Sequence, residues 1–81
     1  MKHLLLYLDN ETESSQVINY FKSEGEEYTA FYVFDGNYPE GIDRIPTIIG
    51  MENGEIKRKI KGYKLGWILR LRKWLNEKMP K

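Results

Sequence analysis

The segment Ile45-Pro46-Thr47-Ile48-Ile49 constrains this 81-residue chain more than any other. Proline carries no backbone donor, so it is accepted at the first residue of a strand and disfavoured inside one. The β-branched run therefore reads as a strand over about 46–51. Gly50 closes the apolar run, and Glu52-Asn53-Gly54 supplies a turn. Asn-Gly is the preferred pair for a tight antiparallel hairpin, so residues 55–61 form its returning strand. After Gly62, the residues Leu65, Ile68, Leu71 and Leu75, with Trp67 and Trp74, make the broad apolar side of a helix over about 64–78. Pro80 cannot continue it.

The first half reads as strand, helix, strand. Leu4-Leu5-Leu6-Tyr7-Leu8 is apolar at every position, as in a central strand covered on both faces. Asn10 followed by Glu13 has capping-box spacing, and Thr12 is an alternative N-cap. Val17, Ile18 and Phe21 recur at helical spacing and Gly25 is a stop signal, which predicts a helix over about 13–24. Tyr28 to Phe34 is aromatic and β-branched, hence a second strand, parallel to the first. Asp35 to Gly41 is turn-rich and holds no helical pattern. The expected fold is a single α/β domain over 1–81, more closely an α+β unit with the order β-α-β-β-β-α. Four strands form one mixed sheet, and the two helices lie on one face or on both. A domain of this size buries only about 60–65% of its unfolded surface, so its core is thin.

Charge divides unevenly along the chain. Residues 1–50 carry Lys2, Lys22 and Arg44 against nine acids, whereas residues 51–81 carry ten basic side chains against Glu52, Glu55 and Glu77. Two readings follow: the halves attract each other inside one small fold, or the second half presents a basic binding face. Absence of cysteine excludes disulfides and cysteine-based metal sites, and fits a reducing cytoplasmic location. The longest apolar run, Leu4 to Leu8, is too short for a membrane span or a signal-peptide core.

Strand–helix–strand, then Ile45-Pro46-Thr47, an Asn53-Gly54 hairpin, Gly62 and a C-terminal helix together resemble the thioredoxin and glutaredoxin family over Leu4 to about Leu75. The resemblance implies the strand order second, first, third, fourth. It also implies a cis proline at 46 beside a redox CxxC pair at the start of the first helix, and a middle helix that is truncated here. On that pattern the two cysteine positions fall on Thr12 and Ser15, or one residue earlier on Glu11 and Ser14. Thiol–disulfide exchange requires sulfur attacking sulfur, and a hydroxyl does not replace it. The chain as written is therefore expected to be redox-inactive, with no catalytic residue and no cofactor.

The function this implies is peptide or protein binding. In such proteins the residue before the cis proline offers its backbone to an extended chain, and that role falls on Ile45, with Pro46, Thr47, Gly62 and Tyr63 around it. The glutathione-holding Gly-Gly-x-Asp segment of glutaredoxins corresponds here to Lys61-Gly62-Tyr63-Lys64, with one glycine and no acid. An alternative is a glutaredoxin-like thiol-disulfide oxidoreductase or glutathione-linked activity, if Ser14 or Ser15 replaces a cysteine.

A third reading is a nucleic-acid-binding module on the basic face, using Lys57, Lys59, Lys61, Arg70 and Lys73, with Trp67 or Trp74 for stacking. Strand alternation puts Ile56, Arg58 and Ile60 on one face and the three lysines on the other. The bland reading of those lysines is protection of an edge strand, and of the tryptophans, core packing. The apolar strand Tyr28–Phe34 is expected at the opposite edge, where it offers itself to a protein partner or a second copy in a homodimer. His3 is the only histidine, and no metal site is expected around it. A Ser14-His3-Asp9 triple can be drawn but carries little weight.

Overall fold

The computed structural model describes residues 1–34 and 36–77. The elements are β1 (Lys2–Leu8), α1 (Thr12–Ser23), β2 (Thr29–Tyr32), β3 (Thr47–Glu52), β4 (Glu55–Lys61) and α2 (Leu65–Asn76). They form a four-stranded mixed sheet in the order β2-β1-β3-β4. β1 runs parallel to β2 and antiparallel to β3, and β3 pairs antiparallel with β4. The strand order and the β-α-β-β-β-α sequence are the thioredoxin-like arrangement, with no helix between β2 and β3 among the described residues. None of the described helices is long and apolar enough to cross a membrane.

Both helices cover one face. Leu4, Leu6 and Leu8 of β1 point to that side and pack with Val17 and Phe21 of α1, Ile48 and Ile60 of the sheet, and Ile68, Leu71 and Trp74 of α2. Arg72 ties the helices together. It donates from Nε to Glu26 Oε2 at 2.8 Å and from Nη1 to Glu24 Oε1 at 2.9 Å and the Tyr20 hydroxyl at 3.1 Å. On the other face of the sheet β1 is only half-covered, and the segment between β2 and β3 is tied to β4. Lys59 Nζ donates to the Gly41 carbonyl at 2.7 Å and Lys61 Nζ pairs with Asp43 at 2.9 Å, while Ile42 is buried. Ile49 is buried, and Tyr7 and Phe31 stack at 5.2 Å on the open part of the sheet.

Local chemistry explains most boundaries. α1 ends in a Schellman motif: Gly25, at φ +71°, donates to Lys22 O, and Glu26 donates to Phe21 O. The motif delivers Glu26 to Arg72. Asn53 and Gly54 both have positive φ, as the two-residue hairpin turn requires.

Five expectations need correction. The capping box does not form: Glu11 is the N-cap of α1 and makes no side-chain cap. Instead Asp9 Oδ1 accepts from the Glu11 amide at 3.0 Å and from Ser14 Oγ at 2.8 Å, while Ser14 Oγ accepts the Asp9 amide. Thr12 opens the helix and caps nothing. β2 is shorter than Tyr28–Phe34, although Val33 N–H still reaches Leu8 O at 2.7 Å. Pro46 precedes β3 and does not begin it. Trp67, expected on the apolar side of α2, is 55% exposed, against 7% for Trp74, because it sits in the first turn. α2 stops at Asn76, with an extended Glu77 after it. Residues 78 and 80 of the expected helix end, and Asp35 of the expected turn, lie outside the described residues.

Candidate functional site

Three elements meet where the resemblance puts a redox centre. The first turn of α1 contributes Glu13, the approach to β3 contributes Arg44, Ile45 and Pro46, and the end of β4 contributes Gly62 and Tyr63. Gly62 N–H donates to the Pro46 carbonyl at 2.7 Å, and Tyr63 N–H donates to Glu13 Oε2 at 2.9 Å. Arg44 Nη2 lies 3.6 Å from Glu13 Oε1. A β-carbon at Gly62 would stand 3.2 Å from both Arg44 Nη2 and Glu13 Oε2, so the absence of a side chain there is what lets the pair cross. The Ile45-Pro46 peptide is cis. Thr47, fully buried, donates its hydroxyl to the Arg44 carbonyl and fixes the bend before β3.

Glu13 also sets the electrostatics. Its carboxylate stands in the first turn of α1, where the positive end of the helix dipole favours negative charge. That end is thereby satisfied internally, and a second anion gains little there. Thr12 and Ser15 are exposed and their hydroxyls bond to nothing among the described residues. Ser14 is the opposite: fully buried and locked to Asp9. No thiol exists in the chain, and Ser14, whose hydroxyl donates to the Asp9 carboxylate, is fully buried and closed to a substrate. His3 lies at the far end of β1 from Asp9, about 20 Å away at about 3.3 Å per residue, so the Ser14-His3-Asp9 triple does not assemble. Among the described residues no three His, Asp or Glu side chains gather as a metal site.

Ile45 is the member of this cluster with backbone to spare. It is partly exposed, and among the described residues neither its N–H nor its C=O has a hydrogen-bond partner. Unpaired main-chain groups beside the first residue of a strand are what an added extended chain uses.

No protein-family model, curated protein or solved structure matches this chain.

The basic residues named from the sequence separate into two groups. Lys57, Arg70 and Lys73 line a cleft of about 460 Å³ between β4 and α2, together with Arg58, Trp67 and Trp74. Lys59 also borders the cleft, but its ammonium group, like that of Lys61, turns to the opposite face of the sheet, where Gly41 and Asp43 hold them. Lys61 holds the Asp43 carboxyl below its usual value, chiefly by its hydrogen bond to it. A bulge causes the split. Gly50 pairs with Arg58 but Met51 pairs with Ile56, so Lys57 is the extra residue. Alternation restarts there, Ile56 falls on the open face at 57% exposure, and Lys57 stays beside Arg58. Simple alternation hides Arg58, because it groups that residue with Ile56 and Ile60 on one apolar face.

Proposed function

We propose that this chain is a thioredoxin/glutaredoxin-like domain that is redox-inactive as written and works by binding a protein or peptide segment at the start of β3. The observation that carries the reading is the unpartnered main chain of Ile45 beside a cluster already closed by Glu13, Arg44, Gly62 and Tyr63. An extended peptide donates to the Ile45 carbonyl and accepts from its N–H, and it runs past the exposed Thr12 and Ser15. Thr47 and Pro46 hold the main chain in place from below, and Tyr63 offers a partly exposed ring at the side. The internal Glu13 carboxylate disfavours an anionic ligand, glutathione included. The oxidoreductase alternative lacks support, since Ser14 is engaged with Asp9 and Ser15 has no activating partner among the described residues. A cysteine-free composition fits a cytoplasmic setting.

Two measurements test the reading. In a disulfide-reduction assay with insulin and dithiothreitol, the chain is expected to add nothing to the background rate; catalysis would defeat it. A peptide library selected on the folded chain is expected to yield binders whose amide chemical-shift changes centre on Ile45, Thr47 and Tyr63. Shifts centred elsewhere would remove the site from consideration.

A second contact surface is supported by the edge position of β2 and the exposure of Phe31 and Tyr32 on it and of Phe34 just beyond it. Self-pairing there gives a homodimer with a continuous sheet. Sedimentation equilibrium is expected to show a dimer at high concentration, and a strict monomer would contradict this.

A further inference from the structure

The separation of acidic and basic residues along the chain does not end in neutralisation everywhere. Arg72 finds Glu24 and Glu26, Arg44 finds Glu13, and Lys61 finds Asp43. Attraction between the two halves explains these pairs. It does not explain Arg58, Arg70 and Lys73, which have no carboxylate partner among the described residues and stand on the walls of one cleft. Lys57 joins them, held only by an exposed contact with Glu55 at 3.7 Å. Glu77 is the acid among the described lining residues. Like charges gathered around a concavity repel, and a bound polyanion relieves that repulsion.

The same cleft contains both indoles of the chain. Arg70 lies 4.9 Å from the centroid of Trp67, and Arg58 lies 5.2 Å from that of Trp74. Trp74 is a wall: it is buried, packed on Gly50, and covered by Lys2 at 4.9 Å from its ring. Trp67 is different, being half exposed on the rim with a guanidinium beside it. An acidic peptide would use the cations but has no use for a half-exposed indole. A duplex keeps its base faces stacked inward. An anionic membrane would need the apolar and basic groups on a convex surface, whereas here the cations face one another across a groove. Phosphates together with an unstacked base satisfy both features at once.

We infer that the β4–α2 cleft binds single-stranded nucleic acid, with a base stacked on Trp67 and phosphates on Arg58, Arg70 and Lys73. This cleft shares no residue with the Ile45 site, so the inference stands or falls apart from that reading.

The test is fluorescence-anisotropy titration of the full chain with a labelled twelve-nucleotide oligothymidylate at several salt concentrations, alongside a duplex of equal length and phosphatidylserine vesicles. Three phosphate contacts predict a log–log salt slope of about −2, from about −0.7 per contact on a single strand. Trp67→Ala is expected to weaken binding about tenfold and leave that slope unchanged, since stacking is lost and charge is not. Arg70→Glu and Lys73→Glu are expected to weaken binding and flatten the slope. All three positions are exposed, and circular dichroism checks that the fold is kept. Absence of binding, a slope near zero, indifference to Trp67→Ala, or equal binding to duplex or vesicle would overturn the inference.

Discussion

Substituting Gly50 by alanine tests the packing that builds the cleft wall. Gly50 sits in β3 opposite Leu4 and Arg58, on the helix-covered face. A β-carbon there would lie 2.6 Å from Trp74 Cζ3, 3.0 Å from Leu71 Cδ1 and 3.1 Å from Trp74 Cη2. The first distance is inside any ordinary contact, and the atom it meets belongs to a rigid ring in a closed position. Trp74 must therefore lift away. A displacement of about 0.5–1 Å forfeits a quarter to a half of each dispersion contact it had. Overpacking of this kind costs about 1–3 kcal/mol. Against that, alanine restricts the unfolded chain and returns about 0.4–1 kcal/mol. The net expectation is a loss of about 1–2 kcal/mol. In a domain of this length each kcal/mol moves the melting temperature by about 4–8 °C, so a drop of about 5–15 °C follows. Urea denaturation of the single variants Gly50→Ala and Trp74→Leu and of the double variant supplies the control. Trp74→Leu removes the obstructing ring, so the two substitutions should couple favourably by about 1 kcal/mol or more. A neutral Gly50→Ala, or strictly additive losses, would refute the placement of Trp74 on Gly50.

Three further outcomes follow. Arg72→Met leaves the partly buried Glu26 carboxylate without its main cation and is expected to cost about 2 kcal/mol in urea denaturation; a change below about 0.5 kcal/mol would count against the helix–helix tie. Ser14→Ala removes an acceptor from the Asp9 amide and a donor to its carboxylate, and should destabilise by about 1–2 kcal/mol, whereas Ser15→Ala should be close to neutral. The Asp43 carboxyl titrates below its ordinary 3.8 in the folded chain, so its small stabilising contribution is present above that value and disappears as pH falls through the lowered one. The difference in urea midpoint between the native chain and Asp43→Asn should therefore vanish on acidification, and a difference that grew instead would show the sign to be wrong.

Elements whose burial is decided locally were legible from residue order alone. The all-apolar Leu4–Leu8 run forms the central strand. Asn53-Gly54 makes the hairpin, Gly25 stops α1, and β4 occupies the expected residues 55–61. The features that residue order does not carry depend on partners distant in sequence. Glu13 has the spacing of a capping residue, yet Tyr63 N–H and Arg44 claim its carboxylate from across the fold. The bulge opposite Gly50–Met51 reverses the face of Ile56, and nothing in the Glu55–Lys61 run announces it, since pairing with β3 creates it. Trp67 has helical periodicity in common with Ile68 and Leu71, but it falls in the first turn of α2 and stays out of the core. The placement of both helices on one face was open, because an apolar strand reports that it is covered and not by what. Here the helices share one face, the other face of β1 stays half-open, and the irregular segment held by Lys59 and Lys61 lies beside β4.

Amide hydrogen exchange at Ile45, followed by NMR with and without a selected peptide, addresses the binding reading at its source. In the free chain the Ile45 N–H is expected to exchange near its intrinsic rate while Ile48 and Ile49 in β3 are protected, and saturating peptide should slow the Ile45 amide by at least about tenfold. An Ile45 amide already protected in the free chain, or one indifferent to saturating peptide, would contradict recognition through this backbone.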